Sequence, residues 1–245
     1  MNKTIGIFGG GQLGRMMAQA ALPLNLQCTF FEAETNCPAA ILGPVFSSKN
    51  EQGLQDFIAS ADVFSLEFEN TPVADVDVLT QTKTLHPPRL ALATAQNRLA
   101  EKALFDQLAI PVAPYRAVDS LESLKQAVAE LGLPIVLKTV TGGYDGKGQF
   151  VLRSEDQIDT AWAELGPAKS LIAESFVKFS REVSIIAVRG QNGDVKTWAL
   201  AENHHHNGIL SHSIVPAPNS TDLQPVAQDY ITRLLNHLNY VGVLT

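Results

Sequence analysis

The sequence predicts an α/β protein that opens on a doubly wound parallel sheet and passes into mixed α+β structure. Three observations carry this. A strand, glycine turn, helix, strand run spans Thr4 to Phe31, which is the opening of a βαβ unit. A second glycine-dense stretch, Thr141 to Gln149, lies between two short apolar segments. Late in the chain Asn192-Gly193 gives a hairpin signal, so alternation has yielded to antiparallel pairing. The 245 residues, 45% hydrophobic and 18% charged, leave room for about two domains and exclude collagen-like, coiled-coil and highly charged disordered classes.

Taken in order, Thr4 to Phe8 reads as a buried strand, Gly9 to Gly11 as a tight turn, and Leu13 to Leu22 as a helix stopped before Pro23. Gln27 to Phe31 is the next strand and ends at Glu32. A helix around Leu54 to Ala59 precedes a strand from Val63 to Phe68, and Pro87-Pro88 interrupts the alternation. Helical spacing of Leu99, Ala103, Leu104 and Leu108 predicts one helix from Thr94 to Leu108. Asp119 with Glu122 resembles a capping box for a helix that ends at Gly132. Ile135 to Lys138 and Phe150 to Leu152 form a hairpin around the glycine loop. Ser154 and Gln157 open another helix, stopped at Gly166, before β-rich Leu171 to Ala173 and Val183 to Val188. Val195 to Leu200 follows the hairpin turn. Leu223 to Leu238 has a helical stripe, and Tyr240 to Leu244 begins an apolar strand. Domains rarely stop on such a strand, so a fragment of a longer protein is expected.

Gly9, Gly11 and Gly14 satisfy G-x-G-x-x-G between a strand and a helix, and Glu32 stands where a ribose-binding acid would be. A dinucleotide is one reading; tight packing of a helix on its sheet, or another phosphate ligand, is the plainer one. Thr141 to Gln149 is more specific. Its four glycines free the backbone N–H groups to wrap phosphates, while Lys147 and Lys138 supply charge. It is not a Walker A loop, because Gly148 stands where Ser or Thr would bind magnesium. Glu67 and Glu69 face one side if the strand stays extended, which suits sugar hydroxyls or a cation, although a solvated strand end explains them as well. Of His204, His205 and His206 at most two converge on a strand, which argues against a zinc site. Glu174 to Val177, with Glu182 beyond, could hold an adenine edge and ribose hydroxyls, or simply be a crossover.

With 18 Lys+Arg against 25 Asp+Glu the net charge is −7, which gives no general attraction to nucleic acid or anionic membranes. Cys28 and Cys37 make no disulfide framework or C-x-x-C pair, and the apolar run before Gly9 is too short for a signal core or membrane span. A cytoplasmic location is expected.

Together these segments resemble the ATP-grasp superfamily, and within it the 5-(carboxyamino)imidazole ribonucleotide synthases of purine biosynthesis. The resemblance is carried by Gly9 to Met16 (GGGQLGRM), Glu67 to Asn70 (EFEN), Asn97-Arg98 before a helix, Lys138, Gly142 to Gln149 (GGYDGKGQ), Glu174 to Val177, Arg181 to Ser184 (REVS), His205 before Asn207-Gly208-Ile209, and Tyr240 to Val243 (YVGV). It implies a Rossmann-like pre-ATP-grasp domain over 1–96, a central ATP-grasp lid domain over 97–175 and the first, incomplete part of a C-terminal ATP-grasp domain over 176–245. It implies an ATP site of Arg98, Lys138, Gly143, Tyr144, Asp145, Gly146, Lys147, Gly148, Gln149, Glu174, Ser175, Phe176, Val177, Glu182 and His205. Gln12, Leu13 and Glu67 would face aminoimidazole ribonucleotide. Tyr144, Asp145 and Lys147 would sit by a carboxyphosphate made from bicarbonate, with Asp145 as proton acceptor. The implied cofactors are ATP and Mg2+, with the metal's ligands expected beyond Thr245 and none within this chain, so catalysis by these residues alone is expected to be impaired. A homodimer is implied too. A nicotinamide oxidoreductase, built on Gly9 to Gly14 and Glu32, and a non-catalytic nucleotide-binding module are the competing readings.

Overall fold

The computed structural model describes residues 3–142, 148–168, 170–206 and 208–245. The chain forms two compact units, Met1–Ala93 with His237–Gly242 and Thr94–Asn236 with Val243–Thr245.

The first unit is built on β1 (Thr4–Phe8), α1 (Gln12–Ala21), β2 (Gln27–Glu32), β3 (Val45–Ser47), α2 (Gly53–Ser60), β4 (Val63–Leu66), α3 (Val73–Thr80) and β5 (Thr84–Leu85); α4 (Arg89–Ala95) leads the chain out of it. The sheet is parallel with order β3-β2-β1-β4-β5. Such a sheet is covered on both faces, which is why β1, β2 and β4 read as apolar runs rather than alternating ones. Phe57 of α2 packs against Phe8, Phe31 and Phe64 with ring centroids 5.1, 5.4 and 5.1 Å away. Because β1 pairs with both β2 and β4, the segments leaving these three strands converge at one carboxyl edge, the place where open α/β sheets bind ligands. Glu32 ends β2 and Glu67 follows β4 there.

The strand expected over Val63 to Phe68 stops at Leu66. The N–H and the hydroxyl of Thr71 both donate to the Phe68 carbonyl, folding residues 68–71 into a turn that leaves Phe68 and Glu69 exposed. The single helix expected over Thr94 to Leu108 is two, α4 and α5 (Arg98–Gln107). Asn97 is extended and its side chain accepts from Ala100 N at 3.0 Å, so an N-cap interrupts what periodicity alone reads as continuous.

In the second unit β6 (Tyr115–Val118), α6 (Leu121–Leu131), β7 (Ile135–Thr139), β8 (Gln149–Leu152), α7 (Ile158–Leu165) and β9 (Leu171–Ser175) form an antiparallel sheet of order β6-β9-β7-β8 with two helices. Leu124 and Val128 of α6 and Ile158 and Ala161 of α7 share a core with Ile135, Leu137, Leu152 and Leu171. The capping box of α6 is Ser120 with Ser123, one residue later than the Asp119–Glu122 pattern; Asp119 instead accepts from the Ser123 hydroxyl. A 3-10 turn, Glu155–Gln157, precedes α7, and Ser154 makes no side-chain cap.

The remaining strands are β10 (Glu182–Ser184), β11 (Ala187–Arg189), β12 (Val195–Thr197), β13 (Ala201–His206) and β14 (Ile209–Ile214), followed by α8 (Leu223–His237) and β15 (Gly242–Leu244). The strand expected over Val183 to Val188 is split between two sheets, β10-β13-β14 and β12-β11-β15. The turn at Asn192-Gly193 joins β11 to β12 as its residues predict, with Gly193 at φ 88°.

Candidate functional site

In the second unit five ionisable side chains gather where β7 runs into the glycine loop. Antiparallel register sets Val136 opposite Glu174 and Lys138 opposite Ile172, so Lys138 and Glu174 are diagonal neighbours on one face. Glu174 is 7% exposed. Its Oε2 lies 2.7 Å from Lys138 Nζ and its Oε1 3.4 Å from Lys102 Nζ on α5. Burial pushes the Glu174 carboxyl up, but the hydrogen bond and charge of Lys138 together with Lys102 outweigh it and hold the group below the usual carboxylate range. Burial pushes the Glu101 carboxyl up, against the opposing pull of Lys102 and Arg98. Arg98 donates from Nη1 to the carbonyls of Thr139 (2.9 Å) and Gly142 (2.7 Å), and its N–H donates to Val140 O. It therefore grips the chain as it enters the loop. On the other side Thr139 N donates to Gly148 O, and Gln149 pairs with Lys138.

Sequence reasoning named Arg98, Lys138 and Glu174 but missed Glu101 and Lys102. The signal was there: on a helix starting at Arg98, positions three and four residues on share its face. Tyr144, Asp145 and Lys147, and with them Gly143 and Gly146, lie outside the described residues.

Ser175 N donates to Pro114 O and Phe176 N to Pro134 O, so neither amide is a donor for a nucleobase edge; Val177 is exposed. The Phe176 ring lies beneath the Arg153 guanidinium, 5.7 Å from its centroid. Glu182 and His205 are brought together across the β10-β13 pair, Oε1 to Nδ1 at 3.7 Å. His204 departs to stack on His212 of β14, centroids 4.6 Å apart, and a register shift between His204 and His205 accompanies the separation. Among the described residues no three His, Cys, Asp or Glu side chains form a group able to hold a metal ion.

In the first unit the glycine turn is occupied by the protein's own carboxylates. Gly10 N donates to Glu32 Oε2 at 3.1 Å and Gly11 N to Glu67 Oε2 at 3.2 Å. Gly9 has φ +104°, and a Cβ there would collide with Glu67 Oε2; a Cβ on Gly14 would lie 2.9 Å from Gly9 O. The glycines admit Glu67 and the helix rather than a phosphate. Two carboxylates on the amides a pyrophosphate would need repel it, which counts against the dinucleotide reading. Gln12 and Leu13, the first residues of α1, are exposed at this edge. Glu69 points elsewhere, its Oε1 accepting from Asn70.

A strand-end lysine bridged to a buried carboxylate beside a glycine loop, in a chain that opens on a parallel-sheet unit, agrees with the ATP-grasp fold expected of it. The family model of the ATP-grasp domain matches residues 103–245, and that of the ribonucleotide synthetase preATP-grasp domain matches residues 1–96. The chain is 42% identical, over 98% of its length and 68% of the relative's, to N5-carboxyaminoimidazole ribonucleotide synthase of Brucella melitensis biotype 1. It covers 65% of a solved N5-carboxyaminoimidazole ribonucleotide synthetase in complex with ADP, at TM-score 0.92, 41% identity and 99% of its own length. It covers 64% of the Aspergillus clavatus N5-carboxyaminoimidazole synthase solved with ADP and 5-aminoimidazole ribonucleotide, at TM-score 0.86, 25% identity and 98% of its own length. The chain belongs to the N5-carboxyaminoimidazole ribonucleotide synthase family, and spans about two thirds of the length of these relatives.

Proposed function

We propose that the protein of which this chain forms part uses ATP to carboxylate 5-aminoimidazole ribonucleotide. The γ-phosphoryl group of ATP passes to a bicarbonate oxygen, giving ADP and carboxyphosphate. The exocyclic amine of the ribonucleotide then attacks the carboxyl carbon, phosphate leaves, and the amine gives up a proton. The observation that carries the reading is the Lys138–Glu174–Lys102 bridge beside the Arg98-held loop entrance, in a chain of this family.

The assigned roles follow from charge and reach. Arg98 and Lys138, with the amides of Gly143 to Gln149, neutralise the phosphates; Glu174 to Val177, Glu182 and His205 complete the nucleotide site. Tyr144, Asp145 and Lys147 flank the carboxyphosphate, Asp145 taking the amine proton. Gln12, Leu13 and Glu67 hold the ribonucleotide, the Glu67 carboxylate accepting from ribose hydroxyls. By sequence we divide the chain after residue 96 into a lid-type part, 97–175, and a following part, 176–245. The nucleotide is taken as its Mg2+ complex, although Glu101 and Glu174 sit beside Lys102 and Lys138 and make no ligand set for the cation. Assembly as a homodimer and residence in the cytoplasm complete the proposal; no helix of the described residues is long and apolar enough to cross a membrane.

Thermal-shift titration of the chain with ATP and with NAD tests the nucleotide assignment, since only a ligand of the folded state raises the melting temperature. ATP should stabilise the parent and act far less on Lys138→Ala, because a charge-assisted bond lost at such a site costs about 1.5–3 kcal/mol, roughly ten- to a hundredfold in affinity. Stabilisation by NAD and none by ATP would overturn the assignment.

A further inference from the structure

Lys138 faces two demands in this site. It is already the shorter contact of a carboxylate buried at 7% exposure, and it is also the strand-end cation that the nucleotide reading sends to a phosphate. A lysine cannot serve both at full strength unless the carboxylate it leaves keeps another counter-charge, because an unpaired buried carboxylate is strongly disfavoured. The second ammonium is present: Lys102 Nζ stands 3.4 Å from the other Glu174 oxygen. The two lysines differ in freedom. The Lys138 side chain is 27% exposed and borders the glycine loop, whereas that of Lys102 is 16% exposed, on the helix that Asn97 caps.

Resting on the nucleotide reading above, we propose that Lys102 is a positioning residue: it is the standing counter-charge of Glu174 that lets Lys138 move on to a nucleotide phosphate. The longer Lys102 contact shortens as Lys138 departs, and Glu174 stays ionised throughout. Without Lys102, Lys138 is the only ammonium among the described residues bridged to Glu174 and is held there, so phosphate must compete with a buried carboxylate for it. A role confined to folding predicts a loss of stability with nucleotide affinity intact; this role predicts an affinity loss that depends on the Glu174 charge.

The test is a double-mutant cycle on ATP affinity by calorimetric titration, using the parent, Lys102→Met, Lys102→Arg, Glu174→Gln and Lys102→Met with Glu174→Gln. Lys102→Met should weaken ATP binding about ten- to thirtyfold in the parent background and less than threefold in the Glu174→Gln background, and Lys102→Arg should stay within about threefold of the parent. ATP affinity within twofold of the parent in Lys102→Met, or an equal loss in both backgrounds, overturns the proposal. If Lys102→Met does not fold, ammonium-selective 15N NMR of the parent decides. ATP should shift the Lys138 ammonium resonance and slow hydrogen exchange at that of Lys102; an unaltered Lys102 signal refutes the exchange of partners. A parent that binds no ATP removes the nucleotide reading itself, whereas a parent that binds while Lys102→Met matches it removes only the role of Lys102.

Discussion

Replacing Glu174 by Gln keeps the shape of the side chain and deletes the charge that two ammonium groups share. Both partners lie close, at 2.7 and 3.4 Å, and the Glu174 side chain is 10% exposed, so the residual electrostatic imbalance falls on Lys138 and Lys102. Removing one partner of a fully sealed ion pair costs about 3–5 kcal/mol. Here Lys138 can turn partly to water, so a loss of about 3 kcal/mol is expected, at the low end of that range. For a unit of roughly 150 residues each kcal/mol corresponds to about 2–4 °C in melting temperature, so the transition should fall by roughly 6–12 °C. Urea unfolding of the second unit's transition should show a lower midpoint at unchanged slope, the signature of lost stability rather than altered compactness. ATP should recover part of the loss, because its phosphates supply the missing negative charge. A Glu174→Gln variant within about 0.5 kcal/mol of the parent would show that the three groups do not form an energetic unit, and would refute the reasoning.

Acid should act through the same carboxylate. Glu174 has its folded-state pKa lowered, so it contributes stability above the ordinary glutamate value, about 4.3, and that contribution is lost as pH falls through the folded value; urea midpoints of the parent should drop across this window and those of Glu174→Gln should drop less. Glu101, raised by burial, works in the opposite sense: its destabilising share grows as pH rises from the ordinary value to the folded one, so Glu101→Gln should gain stability relative to the parent above that window. In the first unit Gly9→Ala combines φ +104° with a collision against Glu67, and should cost at least about 1–3 kcal/mol in thermal or urea unfolding; a neutral outcome would mean that the Glu67 carboxylate does not sit over the turn.

What the sequence made legible was whatever had a local cause. The βαβ opening followed from apolar runs and Gly9, and the hairpin around the glycine loop from Ile135 to Lys138 and its partner. Asn192-Gly193 announced its own turn. What escaped depended on competition between local and long-range bonds. To apolar periodicity alone Asn97 is an interior helix position; only the Asn97-Arg98 motif sets it before a helix, where its side chain accepts the Ala100 amide. Phe68 looks like a strand residue until its carbonyl takes two donors from Thr71. The short strands β3 and β5, of three and two residues, exist because the sheet supplies partners, not because their own composition demands extension. The same holds for the site. Arg98, Lys138 and Glu174 were visible as residue types near motifs. That Glu174 takes both Lys138 and Lys102 follows from strand register and helix phase together, and no single window of sequence contains both.

The turn at Gly9 to Gly11 shows how one string of letters can specify opposite receptors. Its spacing is that of an anion cradle, yet acids arriving from the ends of two other strands, Glu32 and Glu67, have filled the cradle from within. What these amides bind is thus decided at a distance of 22 and 56 residues from them, outside any motif that a scan of the turn would score. Re-engineering this unit toward a dinucleotide would leave every glycine in place and begin at those two acids. Conversely, grafting the glycine turn alone onto another sheet would carry over a phosphate receptor and leave the selectivity behind.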